Sequence, residues 1–297
     1  MDQLVDLYPS RVQPTPSIVD RTDPVVWDEA GAAEGPLDAD RIAFFERKGY
    51  LAFEAFFPPE EVAAFTRELD AIWAAASESD DDTIVREPDN DVVRSVFAIH
   101  ERNAVFRDLL RDRRLVAMAE QILGSQVYIH QSRINYKSGF RGKEFYWHSD
   151  FETWHTEDGM PRMRALSISI ALSDNYALNG PLMLVPGSHK RYVTCTGATP
   201  DDHYKESLRR QAVGTPDDDS LRQLVDEGGI DAPTGPAGSI VLFDCNTMHG
   251  SGSNITPLPR SNIFAVYNSI ENALRPPFAG TRPRPDFIAN RIVDPIA

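Results

Sequence analysis

The chain has 297 residues, 41% of them hydrophobic and 25% charged, with a net charge of −15 and a pI near 4.9. That balance suits a globular protein with a substantial core, and acidity with scattered arginines argues against nucleic acid as a partner, because phosphate contacts need clustered Lys and Arg. Two cysteines, Cys195 and Cys245, imply no disulfide framework, no apolar run approaches a membrane span, and residues 1–9 lack the features of a secretory signal, so the expectation is a cytoplasmic protein without a membrane partner.

Residues 1–36 carry Pro9, Pro14, Pro16, Pro24 and Pro36 with few apolar clusters, which predicts an extended arm lying on the body or against a partner. Asp38 or Asp40 caps a first helix that stops at Gly49, and residues 50–57 alternate like a strand. Pro58-Pro59-Glu60-Glu61 opens a second helix with Val62, Phe65, Leu69, Ile72 and Trp73 as its buried stripe. The acidic run 77–83 reads as a solvated loop, and 101–124 as one further helix ending at Gly124. Strands follow at 127–136, 144–150, 166–173, 182–185, 239–244 and 261–269. In 166–173, Leu166, Ile168, Ile170 and Leu172 share one face and small polar residues the other, a lining suited to a cavity that holds a ligand. The acidic, helix-prone stretch 199–229 reads as an insertion between core strands, the proline-rich tail from Arg275 as a wrap or a dimer contact, and 1–297 as a single domain.

The chemistry concentrates in Phe145-Tyr-Trp-His-Ser-Asp150. In a strand, His148 and Asp150 would project from the same face, an imidazole and a carboxylate together. Two His and one carboxylate form a facial triad that leaves half of an octahedron open, and His249 in Met248-His249-Gly250-Ser251 is the leading candidate for the third ligand. Arg260 opens the next strand, which is expected to return beside strand 239–244 and so place the guanidinium in the cavity. Its fork of donors suits a carboxylate held bidentately.

With His148-x-Asp150, His249 and Arg260 in order, and Asn179-Gly-Pro-Leu together with Pro186-Gly-Ser-His189 between them, the chain resembles the iron(II)- and 2-oxoglutarate-dependent dioxygenases of the phytanoyl-CoA dioxygenase-like superfamily. Residues 145–161, the 131–137 strand and Asn262-Ile-Phe264 are similar to the ectoine hydroxylases within it. The resemblance implies a mainly β fold with flanking helices around a double-stranded β-helix (jelly-roll, cupin-like) core. It further implies Fe(II), 2-oxoglutarate and O2 as cofactors, and conversion of ectoine to 5-hydroxyectoine with release of succinate and CO2. By the same resemblance Arg260, Ser251 and Asn135 meet 2-oxoglutarate. Trp154, Phe243 and Phe264 would box the ectoine amidinium, at about 0.5–2 kcal/mol per cation–π contact, with Gln131, Thr153 and Asn262 as neutral hydrogen-bonding groups. A homodimer is compatible with the related enzymes.

Blander readings stand beside these. His155 is expected to play a non-ligand role and His189 a structural one, while Phe243 and Phe264 divide evenly between packing and substrate contact. Arg133 and Lys137 read equally as surface charges and are unassigned. Cys245 reads as a small buried hydrophobe. Two other functions remain open: another small-molecule dioxygenase of the superfamily, or a non-catalytic binding module on the same scaffold.

Overall fold

The computed structural model describes residues 6–27, 35–87, 89, 91–210 and 213–296; the remainder of the expected 1–36 arm lies outside the described residues. Strand β1 (Ser17–Asp20) precedes α1 (Ala39–Lys48), which is capped by the Asp38 carboxylate and closed by Gly49 at φ 80°. Next come β2 (Tyr50–Phe53) and α2 (Pro59–Ser77). The predicted 50–57 strand is cut short by a turn in which Ala55 takes φ 47°. After β3 (Ile84–Arg86) and β4 (Val93–Phe97), the predicted 101–124 helix is instead three: α3 (Ile99–Arg102), α4 (Ala104–Leu110) and α5 (Arg113–Leu123). Asn103 and Asp112 break it, because each side chain accepts from a backbone N–H and caps a new helix.

The second half continues with β5 (Val127–Lys137), β6 (Phe145–His148), α6 (Asp150–Thr153) and a π-helical turn at Trp154–Asp158. It then runs through β7 (Ala165–Ala171), β8 (Leu182–Leu184) and β9 (Arg191–Thr194). Helices α7 (Tyr204–Ser207) and α8 (Asp218–Gly228) lead to β10 (Ile240–Asp244), β11 (His249–Ser251) and β12 (Arg260–Ser269).

Seven strands form one antiparallel sheet in the order β2-β10-β7-β12-β5-β4-β3, and β6-β11-β8 form a smaller sheet. Strand β12 pairs with β5 and β7 and not with β10, which corrects the expected neighbour of the Arg260 strand. One face of the large sheet presents Ile168, Ile170, Ile263 and Ala265 to Phe65, Phe106, Leu115 and Ile122 of the helices. Deleting one such side chain to alanine costs about 2–5 kcal/mol. On its other face, Val241, Phe243 and Phe264 pack with Leu182 and Leu184 of the small sheet. The two sheets thus enclose a core without closing into a barrel, a double-stranded β-helix with helices outside.

In the N-terminal arm, β1 pairs with β9, and the buried Tyr8 hydroxyl accepts from the Asp23 N–H at 2.9 Å. At the other end of the chain, Ile296 N–H bonds the Val127 carbonyl at 2.9 Å. No described helix is long and apolar enough to cross a membrane.

Candidate active site

The aromatic, β-favouring run Phe145–His148 makes β6, but the strand ends at His148, which corrects the expectation that Asp150 shares it. Ser149 turns the chain, anchored where its hydroxyl donates to Asn246 Oδ1 at 2.9 Å and the Phe151 N–H to the Cys245 carbonyl at 2.9 Å. Asp150 then opens α6 and its carboxylate points back toward His148. His249 begins β11 and is the register partner of His148, so the two imidazoles face each other with centroids 4.3 Å apart.

One ligand atom from each of His148, Asp150 and His249 lies within 4.8 Å of the others. His148 Nε2 is 3.7 Å from Asp150 Oδ1, and His249 Nε2 is 3.9 Å from Asp150 Oδ2. Both Nδ1 atoms face carbonyls, Tyr146 at 2.6 Å and Thr247 at 2.9 Å. A carbonyl only accepts, so each Nδ1 carries the proton and each Nε2 offers a lone pair to the shared space. Burial, followed by the neighbouring His249, pushes the His148 pKa down to about 4, which keeps that imidazole neutral. Burial alone would raise the Asp150 carboxyl, but His249, His148 and Arg133 outweigh it and hold the pKa below its ordinary value. Two imidazole nitrogens and a carboxylate are the donor set that ferrous iron accepts.

Beside the trio opens a cavity of about 510 Å³ lined by His148, Asp150, Gln131, Asn135, Thr153 and Trp154 among the expected residues. Trp154 is buried, its ring edge-to-face on His130 at 5.1 Å. Phe243 packs on His249 at 4.9 Å, and Phe264 lies under the Arg133 guanidinium at 4.9 Å, so both belong to the wall behind the lining. Asn262 is buried and donates to Ser169 Oγ at 2.9 Å, with its own Oδ1 unpartnered.

Arg260 and Ser251 lie behind the lining too, joined by a residue that sequence reasoning left unassigned. Lys137 is the cross-strand partner of Arg260, and its Nζ donates to Ser251 Oγ at 2.9 Å, to the Lys143 carbonyl at 3.0 Å and to the Gly252 carbonyl at 2.5 Å, all neutral oxygens. Both side chains are buried, and Arg260 Nε and Nη1 have no partner. Desolvation lowers the Arg260 pKa to about 10; desolvation, then Arg260 and Arg94, lowers that of Lys137 to about 6. A buried guanidinium with two unpartnered nitrogens marks a cradle for an anion. Arg133 is likewise a cavity-lining residue, its pKa depressed by desolvation. The surface reading of Arg133 and Lys137 is thereby corrected. The missed signal was the period of two along β5, which sets Gln131, Arg133, Asn135 and Lys137 on one face.

Of the other histidines, His155 bonds the Met160 carbonyl at 2.8 Å and Asp6 at 2.8 Å, and His189 the Glu46 carbonyl at 3.1 Å. Both are structural. Cys245 is buried, with burial foremost in raising its thiol pKa, so it is no nucleophile.

A profile of the phytanoyl-CoA dioxygenase family matches residues 45–262. The ectoine dioxygenase of Stutzerimonas stutzeri (strain A1501) is 54% identical over 286 residues, covering 96% of this chain and 94% of that protein. The chain belongs to the ectoine dioxygenase branch of the phytanoyl-CoA dioxygenase family. A second member, from Nocardia farcinica (strain IFM 10152), is 51% identical over 293 residues, 98% of this chain and 96% of its own. Among solved structures, EctD from S. alaskensis with 2-oxoglutarate and 5-hydroxyectoine superimposes at a TM-score of 0.87 and 49% identity, over 97% of this chain and 95% of that one. The family's shared scaffold thus extends over the small sheet that carries His148 and His249 and the large sheet that carries Arg260 and Lys137.

Proposed function

We propose that this chain hydroxylates ectoine to 5-hydroxyectoine, using O2 and 2-oxoglutarate and releasing succinate and CO2, with Fe(II) held by His148, Asp150 and His249. The observation that carries the reading is the convergence of one ligand atom from each of those residues to within 4.8 Å, in a chain about half identical to ectoine dioxygenases along nearly its whole length. The iron and keto acid supply the oxidising chemistry; the chain supplies ligands, charge and a shielded cavity.

Each half of the cavity has a distinct task. Arg260 and Lys137, with Ser251 and Asn135 beside them, would take the distal carboxylate of 2-oxoglutarate, which satisfies the unpartnered Nε and Nη1. Trp154, with Phe243 and Phe264 behind it, would meet the delocalised amidinium of ectoine, while Arg133 would take its carboxylate and Gln131, Thr153 and Asn262 would orient the ring. This division belongs to 1–297 acting as one catalytic unit. The reading places the enzyme in the cytoplasm as a homodimer without nucleic-acid or membrane partners, in keeping with its acidic balance; light scattering tests the dimer.

The test is turnover: protein loaded with Fe(II) and given 2-oxoglutarate, O2 and ectoine yields 5-hydroxyectoine and succinate in equal amounts. Iron-loaded protein that decarboxylates 2-oxoglutarate without that product would belong to a dioxygenase of different substrate, and one that binds without decarboxylating would be a binding module.

A further inference from the structure

Arg11, in the N-terminal arm, takes no part in the chemistry above, yet its side chain is only 2% exposed. Its backbone takes φ 61°, the left-handed region that a residue with a Cβ enters only when its surroundings compel it. The guanidinium grips Glu152 with both edges, Nε to Oε1 at 3.0 Å and Nη2 to Oε2 at 2.7 Å. The remaining nitrogen, Nη1, donates to Glu157 Oε1 at 2.7 Å and to Thr199 Oγ1 at 2.8 Å. Ser10 adds a 2.6 Å bond from its hydroxyl to Glu152, and the Arg11 N–H bonds the Cys195 carbonyl at 2.8 Å.

These partners bracket the substrate half of the cavity. Glu152 lies in α6 between Asp150 and Thr153, and Glu157 in the π-helical turn that begins at Trp154. Thr199 opens a stretch described over 199–210 and 213–215, whose Ser207, Leu208, Arg210 and Thr215 line the cavity from outside the two sheets. The far end of that stretch presses on the same guanidinium: Gly214 is buried at φ 77°, and a Cβ there would stand 2.5 Å from Arg11 Nη2 and 2.6 Å from Glu152 Oε2. Without Arg11, two buried carboxylates five residues apart would repel each other and lose their only bidentate donor among the described residues.

We infer that Arg11 is a positioning residue for the substrate side of the site: by holding Glu152, Glu157 and Thr199 at once, it sets Thr153, Trp154 and the covering residues 199–210 and 213–215 relative to the metal ligands. The inference rests on the reading above that Trp154 and Thr153 meet ectoine. A lysine cannot replace the planar fork, because it lacks the second edge that grips Glu152.

The test compares Arg11→Met, Arg11→Lys and Thr199→Val with the unaltered full-length protein, each loaded with Fe(II). In Arg11→Met the KM for ectoine rises between about tenfold and a hundredfold, the range that displacement of a positioning group produces, and succinate exceeds 5-hydroxyectoine. Arg11→Lys is intermediate. Thr199→Val, which cuts only the tie to the covering stretch, shifts both in the same direction by less. In all three, 2-oxoglutarate titrates the anaerobic Fe(II) protein with a midpoint within about twofold of normal, and trypsin cleaves after Arg209 and Arg210 faster. A folded Arg11 variant with normal ectoine KM, coupling and cleavage overturns the inference, as does an equal loss of 2-oxoglutarate and ectoine affinity. Should Arg11→Met not fold, Thr199→Val decides: normal coupling and cleavage there are equally contrary. Failure of the unaltered protein to hydroxylate ectoine would sink the substrate reading instead, and the cleavage comparison would still judge Arg11.

Discussion

The two polar centres beside the cavity are built on opposite principles. Around His148, Asp150 and His249 the protein supplies nearly every partner: each Nδ1 is bonded to a carbonyl, and the carboxylate lies between the two imidazoles. Around Arg260 it leaves a buried guanidinium short of anions, with two nitrogens unpartnered, beside a Lys137 amine bonded only to neutral oxygens. The first centre is ordered before its metal arrives; the second carries a desolvation cost that a carboxylate relieves on binding. Resident metal and consumed cosubstrate need different things: the metal must stay through many turnovers, the keto acid must enter and leave as succinate in each.

Substitutions in the two centres should therefore fail differently. Asp150→Ala removes the charge between the imidazoles, and iron content and turnover fall together, turnover by more than about 10⁴, read by metal analysis and product assay. Arg260→Met leaves iron in place and raises the KM for 2-oxoglutarate between about tenfold and a hundredfold, the equivalent of one lost charged hydrogen bond of about 1.5–3 kcal/mol. Its apo form should melt no lower than the unaltered protein, because the residue removed is a buried cation without a full set of partners. A fall in apo melting temperature would erase the distinction between the centres. Trp154→Leu weakens ectoine affinity by about tenfold while uncoupled decarboxylation persists, which calorimetry and succinate assay can separate.

The smallest effect concerns protons. Lys137 titrates near 6, below its unfolded value of 10.5, so between those limits the unfolded chain holds a proton that the folded apo protein lacks. Apo stability from this group therefore rises with pH across that window and is lost as pH falls through 6. A bound dianion restores the charge, so 2-oxoglutarate binding near neutral pH takes up protons and weakens as pH rises. Calorimetry in two buffers of different ionisation enthalpy measures that uptake; none would mean that Lys137 stands outside the cradle.

The sequence held more of the site than of its surroundings. The convergence of His148, Asp150 and His249 was legible because their residue types and order are tied to one chemistry, and it survived a wrong premise: Asp150 reaches the site from a helix start, not from the strand. The helix at 101–124 was misjudged because apolar spacing persists through Asn103 and Asp112, whose caps end one helix and start another without disturbing it. Short strands such as His249–Ser251 have too few residues to show a period, and only their pairing defines them. Arg133 and Lys137 were readable from alternation alone, yet a charged residue suggests surface unless its face is known to be buried. The role of Arg11 has no local signature at all: its partners lie 141 to 188 residues away.

The account depends on iron that would be held by the trio and a keto acid that would be held by Arg260, and the visible charge-transfer absorption of the anaerobic Fe(II) protein with 2-oxoglutarate tests this most directly. The unaltered protein should develop the band on titration, Arg260→Met should develop it only at higher 2-oxoglutarate, and Asp150→Ala should not develop it. An iron-loaded protein that shows no band with saturating 2-oxoglutarate, or an Asp150→Ala variant that shows a normal one, would contradict the account.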